Sequence, residues 1–458
     1  MIILEIGGED HERFAEVNRR ILSVAEEQAS AAGPAADPRS MLLAVVVWDG
    51  EPRGEDDLSA AFAREARKRK IRYHEVSTRA ASYSDRLAPG GRKKMFALEG
   101  GGILGLLSIG YLIRIEDELR KRLNGGEDFV LADYFDYVAG TSTGSVIATC
   151  VALGMPAREI QRFYVENGKA LCQKRWAVQR WYSKFNVTGF EKLIKRVFGE
   201  ESTLGSPRLR TGLMVVLRNA TTDSPWPLSN QPGAKYNDPA RPDCNLDLPL
   251  WQLVRGSTAA PTYYDPEVIV IGPRKFVFVD GGVTAYNNPS FHLFAMATVD
   301  SYGLMWPADE DRLLLVSIGT GICPDANENL GPGQMNLRYN ATRIPSALIA
   351  AASAQQDFVC RMYGRCVHGA PIDQEIGHML SPLGVGPLGP EAKKQFRYAR
   401  YNVDLTQEGL RALGFKESEV RSEDVIAIDS VAHIDDLVEI GARAAGRDVH
   451  IGHFDGFL

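Results

Sequence analysis

Gly140-Thr141-Ser142-Thr143-Gly144 places a serine between an apolar run and a stretch of small residues. A G-x-S-x-G turn between a strand and a helix suits a nucleophile, because the sharp backbone leaves little room for neighbouring side chains. The helix that follows would aim its positive end at an anion forming there. Taken alone, the pentapeptide also reads as an ordinary Gly/Ser helix start.

A second turn, Glu99-Gly100-Gly101-Gly102-Ile103-Leu104-Gly105, follows the apolar run Met95–Leu98 and precedes another amphipathic run. Glycines there let backbone N–H groups converge on one point, as an oxyanion requires. Gly100, Gly102 and Gly105 also satisfy G-x-G-x-x-G, the dinucleotide-binding spacing. That reading needs an acid at the end of the next strand. The strand instead runs into Ala139 and the serine turn, with Asp136 inside it and Glu116–Glu118 on the preceding helix. A third group, Asp280-Gly281-Gly282, closes the alternating segment Lys275–Val279. Asp-Gly is a strong hairpin signal, whereas a carboxylate at a strand end is also where α/β sheets gather catalytic groups.

In this chain order the three motifs resemble the patatin-like phospholipase family. The likeness extends through Gly256–Tyr264, Gly282-Val283 with Asn287-Asn288-Pro289, and Val316–Gly321. It covers residues 95–325 firmly and continues more weakly to about 410. The resemblance implies a Ser142–Asp280 dyad without histidine, an acyl-enzyme, and phospholipase A-type hydrolysis. Gly101 and Gly102 N–H groups would be oxyanion donors, with Gly100 in the same loop and Thr143 N–H a further donor. Gly105, Gly140, Gly144, Gly281 and Gly282 would support the turns. No cofactor or metal is implied.

Leu104 departs from the family pattern, in which Arg or Lys often precedes the last glycine of the first motif. Some neutral-lipid lipases of the wider family share the leucine, so a neutral-lipid lipase or a transacylase stands beside the phospholipase. Bacterial effectors of the family switched on by cyclic nucleotides supply a reading of another class, with the amino-terminal unit sensing a partner or nucleotide.

Other candidate chemistry is less distinctive. His292, His368, His378, His433, His450 and His453 follow Asp280 in the order a Ser–Asp–His triad would need, but none has a distinctive setting. No H-E-x-x-H, EF-hand loop or Cys/His cluster is present. Arg175-Trp176 through Phe185 interleaves cations with aromatics, which suits either an interfacial segment or an ordinary packed helix.

The elements needed to hold these groups are readable from periodicity. Strands are expected at 95–98, 134–139, 213–217, 267–271, 275–279, 313–318 and 397–404, with helices at 104–123, 144–154, 345–363 and 433–445. Alternation of strands and helices predicts a mostly parallel central sheet covered on both faces, and the resemblance implies that this α/β chain has the three-layer α/β/α patatin-like fold. Residues 1–90 read as a small α/β unit (helices 10–31 and 57–70, strand 41–50), 91–410 as the catalytic domain and 411–458 as a helical extension. Residues 77–94 read as a linker.

The 458 residues carry a net charge of -6, which disfavours nucleic acid as the main partner. Six cysteines without a C-x-x-C pair suit reduced thiols in the cytoplasm. The start lacks a basic, long-apolar leader, and no apolar run is long enough to span a bilayer. A lipid substrate would therefore be met peripherally at the membrane surface. The residues leave open whether a regulatory ligand or homo-oligomerisation takes part.

Overall fold

The structure is a computed structural model, and it describes residues 11–31, 42–48, 58–77, 83–171, 187–323, 331–372, 377 and 393–458. The aromatic–cationic segment 175–185 and His378 lie outside the described residues.

Eleven strands are present among the described residues: β1 (Leu43–Trp48), β2 (Arg72–Ser77), β3 (Lys93–Leu98), β4 (Tyr137–Thr141), β5 (Gly212–Asn219), β6 (Ser224–Ser229), β7 (Glu267–Ile271), β8 (Arg274–Asp280), β9 (Leu313–Ile318), β10 (Gly364–His368) and β11 (Phe396–Tyr401). β1 and β2 pair in parallel as a sheet of their own, flanked by the helices His11–Ala31 and Leu58–Lys68. The other nine form one sheet in the order β10-β11-β9-β3-β4-β5-β8-β7, with β6 paired to β5. β10 through β5 run parallel, while β6, β7 and β8 are attached by antiparallel pairing.

The strand sequences explain this division. β9 (LLLVSI) and β4 (YVAGT) are buried at every position, as parallel strands covered on both faces must be. β7 and β8 alternate buried and exposed residues, so one face of this edge hairpin meets solvent. Alternation across β3 feeds two cores. Phe96 and Leu98 join one with Ile109, Leu112 and Ile440, and Met95 and Ala97 join the other with Leu293, Phe294 and Trp306. The result is the three-layer α/β/α arrangement with a mostly parallel sheet.

Several boundaries shift from the sequence reading. The strand expected at 134–139 begins only at Tyr137, because Leu131–Tyr134 makes a helical turn in which the Asp133 carboxylate accepts the Val130 N–H at 3.0 Å. The stretch 77–94 contains a short helix, Tyr83–Leu87, and the start of β3. β6 (SPWPLS) escapes a periodicity reading because of its two prolines, which an added outer strand tolerates. In the region 411–458, the helix Ile434–Asp448 packs on the helix Gly105–Arg122 and contributes Ile434, Leu437 and Ile440 to the first core.

Candidate active site

β3 and β4 lie side by side and parallel, so the loops leaving their carboxyl ends emerge together. The β4 loop is the Ser142 turn, followed at once by the buried helix Thr143–Ala152. Ser142 itself has φ 53 and ψ -126, a conformation that costs a non-glycine residue about 1–3 kcal/mol. The small neighbours are required by crowding: a Cβ at position 140 would stand 2.1 Å from the Gly144 carbonyl oxygen. The turn is held from outside by Ser257, whose hydroxyl accepts the Ser142 N–H at 3.0 Å and donates to the Val216 carbonyl at 2.6 Å.

Asp280 arrives at the same point from β8, which pairs antiparallel to β5 with Asp280 opposite Leu217. The β7–β8 connection is made at Gly272, so Asp280 is not a hairpin residue; it leads into the 3-10 turn Gly281–Val283. The Ser142 hydroxyl donates to Asp280 Oδ2 at 2.6 Å, and the Gly282 N–H donates to Oδ1 at 2.7 Å. The carboxyl is buried with no cation beside it among the described residues. Burial raises its pKa from an ordinary 3.8 to about 6, against the opposing pull of the Ser142 and Gly282 hydrogen bonds.

The glycine loop completes the site. Gly100 N–H is already taken by the Asn287 carbonyl at 3.3 Å, and the Gly100 carbonyl accepts from the Thr320 hydroxyl at 2.9 Å. Among the described residues the N–H groups of Gly101, Gly102 and Thr143 meet no acceptor, which leaves them free for an anion. Gly102 has φ 60, which favours glycine. Gly105 serves packing: a Cβ there would come within 2.8 Å of the Thr143 hydroxyl. Gly281 passes as closely over the Val216 carbonyl.

Behind the loop, Glu99 is buried and paired with Arg400 of β11 at 2.6 Å. Arg400 also donates to Ser317 at 2.9 Å. Burial pushes the Glu99 carboxyl above its ordinary value while the Arg400 guanidinium pulls it down. Arg400 and the role of Ser257 escaped the sequence reading. Ser257, Asn287 and Thr320 all fall in the motifs Gly256–Tyr264, Asn287–Pro289 and Val316–Gly321, so position within a resemblance was the available signal. For Arg400, within RYARY, there was none.

These groups open onto a cavity of about 1010 Å³. Its lining includes Ile103, Leu104, Val146, Phe190 and Tyr264, with Glu99, Asp357, Arg361 and Arg400 supplying charged atoms. Among the described residues no histidine bonds the Ser142–Asp280 pair. His292 packs against Tyr286 with the two rings tilted, and burial lowers its pKa to about 4. His368, His450 and His453 cluster with one another, and His433 bonds Asp436. Among the described residues no three His, Cys, Asp or Glu side chains are grouped to hold a metal ion, and no helix is long and apolar enough to cross a membrane.

Residues 96–293 match the family model described as patatin-like phospholipase. The chain is 29% identical over 207 residues to a cGAMP-activated phospholipase of Escherichia coli, covering 44% of this chain and 54% of that one. It is 32% identical over 239 residues to an intracellular phospholipase A2 of Caenorhabditis elegans, covering 50% of this chain and 20% of the other. Patatin-like protein 2 of Arabidopsis thaliana is 29% identical over 311 residues, covering 60% and 72% respectively. The match thus spans about half of the first relative and a fifth of the second. The glycine loop, the serine turn and the strand ending at Asp280 all lie within the matched residues, so residues 96–293 form a patatin-like phospholipase domain.

Proposed function

We propose that this protein hydrolyses fatty-acyl esters of membrane phospholipids, as a phospholipase A, through a Ser142–Asp280 dyad. The observation that carries the reading is the 2.6 Å hydrogen bond from Ser142 Oγ to a desolvated carboxylate, beside free backbone donors and an apolar cavity. Asp280 Oδ2 takes the hydroxyl proton as Ser142 Oγ bonds to the ester carbonyl carbon. The carbonyl oxygen becomes an oxyanion facing the Gly101 and Gly102 N–H groups, with Thr143 N–H and the positive end of its helix adding to the field. Collapse breaks the ester C–O bond, and the leaving alcohol takes the proton from Asp280. Water then adds to the acyl-enzyme while Asp280 accepts its proton. Collapse releases the fatty acid and returns the proton to Ser142. A carboxylate raised to about 6 is a stronger base than an ordinary one, yet still mainly ionised at neutral pH.

Approach to a lipid surface from the cytoplasm fits the helix Leu337–Tyr363. Its Ser346, Ile349 and Ser353 line the cavity, while Ile344 and Leu348 are 51% and 65% exposed. Leu104 supports a second reading, neutral-lipid hydrolysis or transacylation on the same dyad. It lies buried on the cavity wall and offers no charge to a headgroup. Regulation by a nucleotide, sensed by the amino-terminal unit around residues 1–90, is supported by the name of the Escherichia coli relative and by the separate β1–β2 sheet.

One experiment addresses the first two readings: fatty-acid release from vesicles of phosphatidylcholine and phosphatidylglycerol and from triacylglycerol emulsions, for wild type, Ser142→Ala and Asp280→Asn. Loss in both folded variants is expected, with phospholipid preferred. Near-normal release by either variant refutes the dyad, and triacylglycerol preference selects the neutral-lipid reading. Adding cyclic GMP–AMP to the same assay tests regulation; an unchanged rate removes that idea.

A further inference from the structure

The residues Ile426, Ala427 and Ile428 lie far beyond the matched residues 96–293, yet all three line the cavity at Ser142. Their approach is through the backbone. The Ile428 carbonyl accepts the Ile103 N–H at 3.0 Å, so the chain leaving the glycine loop is tied to this segment. A Cβ on Gly102 would stand 2.3 Å from the same oxygen. The absence of a side chain at 102 and the position of Ile428 therefore require each other.

The segment is anchored on both sides. Val420 and Val425 are buried in the first core, and Ser422 meets Cys323 at 3.5 Å, next to the loop after β9. On the other side, the helix Ile434–Asp448 crosses the helix Gly105–Arg122 so closely that a Cβ on Gly110 would lie 2.5 Å from the Gly441 carbonyl carbon. Between these anchors Ile426 and Ile428 remain 40% and 37% exposed. Two β-branched apolar residues held on a fixed backbone, with part of their surface open at a cavity wall, are suited to meet an apolar ligand. The charged groups of the cavity come from Glu99, Asp280, Asp357, Arg361 and Arg400, none of them in this segment.

We propose that Ile426 and Ile428 are specificity-determining residues that form one wall of the acyl-chain site and set the chain length accepted. This rests on the reading of Ser142 as the nucleophile toward a fatty-acyl ester. The carbonyl tie to Ile103 holds the wall at a fixed distance from the oxyanion donors, so a change of side-chain volume at 428 is felt as available chain length.

The test uses the full chain with p-nitrophenyl butanoate, octanoate and dodecanoate in detergent micelles, comparing the kcat/KM ratio of dodecanoate to butanoate. Ile428→Phe is expected to lower that ratio tenfold or more, since one extra or missing methylene in an apolar pocket already changes discrimination by about 10–200-fold. Ile428→Ala and Ile426→Ala are expected to raise it several-fold, and Ile428→Val to keep it near wild type. If Ile428→Phe does not fold, the two alanine variants carry the test alone. A ratio unchanged in the folded Ile428→Phe, Ile428→Ala and Ile426→Ala variants overturns the proposal. If wild type instead cleaves these esters with no dependence on Ser142, the nucleophile reading fails. The two failures are thereby distinguished.

Discussion

Two buried carboxylates flank the glycine loop, and their surroundings assign them opposite work. Asp280 sits at the end of β8 with no cation beside it among the described residues, held by a serine hydroxyl and one backbone N–H. Glu99 sits at the end of β3 against the guanidinium of Arg400. Desolvation raises both. Only Glu99 has a positive charge to oppose it, so its charge is fixed in place and ties the loop to β11. Asp280 is left as a base that can exchange a proton. Pairs of carboxyl groups in unlike environments are a general way for one site to separate roles.

The sharpest way to break this comparison is to neutralise each carboxylate in turn. Asp280→Asn removes the base while keeping the shape, and its turnover should fall on the order of 10³-fold or more, as in other nucleophile–base systems. Glu99→Gln should keep most of the rate, because glutamine still accepts a hydrogen bond from Arg400. Steady-state kinetics on a soluble ester, with circular dichroism as the folding control, decides it. Equal losses in the two variants would erase the distinction between base and strut.

Removing the partner cation should act on the fold. Arg400→Met strips the buried Glu99 carboxyl of its cation, which costs up to about 3–5 kcal/mol whether the carboxyl stays charged or takes up a proton. Adding Glu99→Gln to it should recover much of that loss. Urea denaturation of the single and double variants measures the coupling, and additive effects would mean that the pair is not a unit.

Why the serine turn was legible in the sequence and Arg400 was not follows from range. Gly140–Gly144 and Gly100–Gly105 satisfy constraints set within a few residues, where sharp turns admit only small side chains. β4 and β9 announce themselves through continuous apolar runs. Arg400 reaches Glu99 only because β11 pairs with β9 so that Arg400 is opposite Ser317, while β9 pairs with β3 so that Ser317 is opposite Ala97. Two strand registers, joining positions 83 and 220 residues apart, must be known before the contact exists. Ile428 and Ser257 have the same character. The helical turn at Leu131–Tyr134 was missed for the opposite reason: an apolar, aromatic run looked like strand, and one Asp133 cap decided otherwise.

The pH dependence sharpens the assignment of Asp280. As a base with pKa about 6, it should give kcat/KM an acid limb that falls tenfold per pH unit below that value and levels off above it. Stability should move the other way. The folded protein holds this proton more tightly than the unfolded chain, where the ordinary value is 3.8, so the contribution is full below that and lost as pH rises through about 6. Asp280→Asn removes the loss. Its stability relative to wild type should therefore grow between pH 4 and pH 7, by up to about 3 kcal/mol. Thermal unfolding across this range checks the sign; a constant difference would mean that Asp280 is not perturbed.

The smallest expected effect separates strain from chemistry at Ser142. With φ 53 and ψ -126, the serine occupies backbone space that glycine enters freely. Ser142→Gly and Ser142→Ala should both abolish turnover, but the two should differ in stability. Alanine keeps the Cβ and the strain. Glycine releases it at the expense of a more flexible unfolded chain, a penalty of somewhat under about 1 kcal/mol against a strain of about 1–3 kcal/mol. Both lose the hydrogen bond to Asp280 and leave the same carboxyl behind, so that term cancels between them. Ser142→Gly should then unfold at a higher urea midpoint than Ser142→Ala by the equivalent of about 1 kcal/mol. Equal midpoints would mean that the turn holds its serine without strain, and that the glycines at 140 and 144 relieve crowding alone.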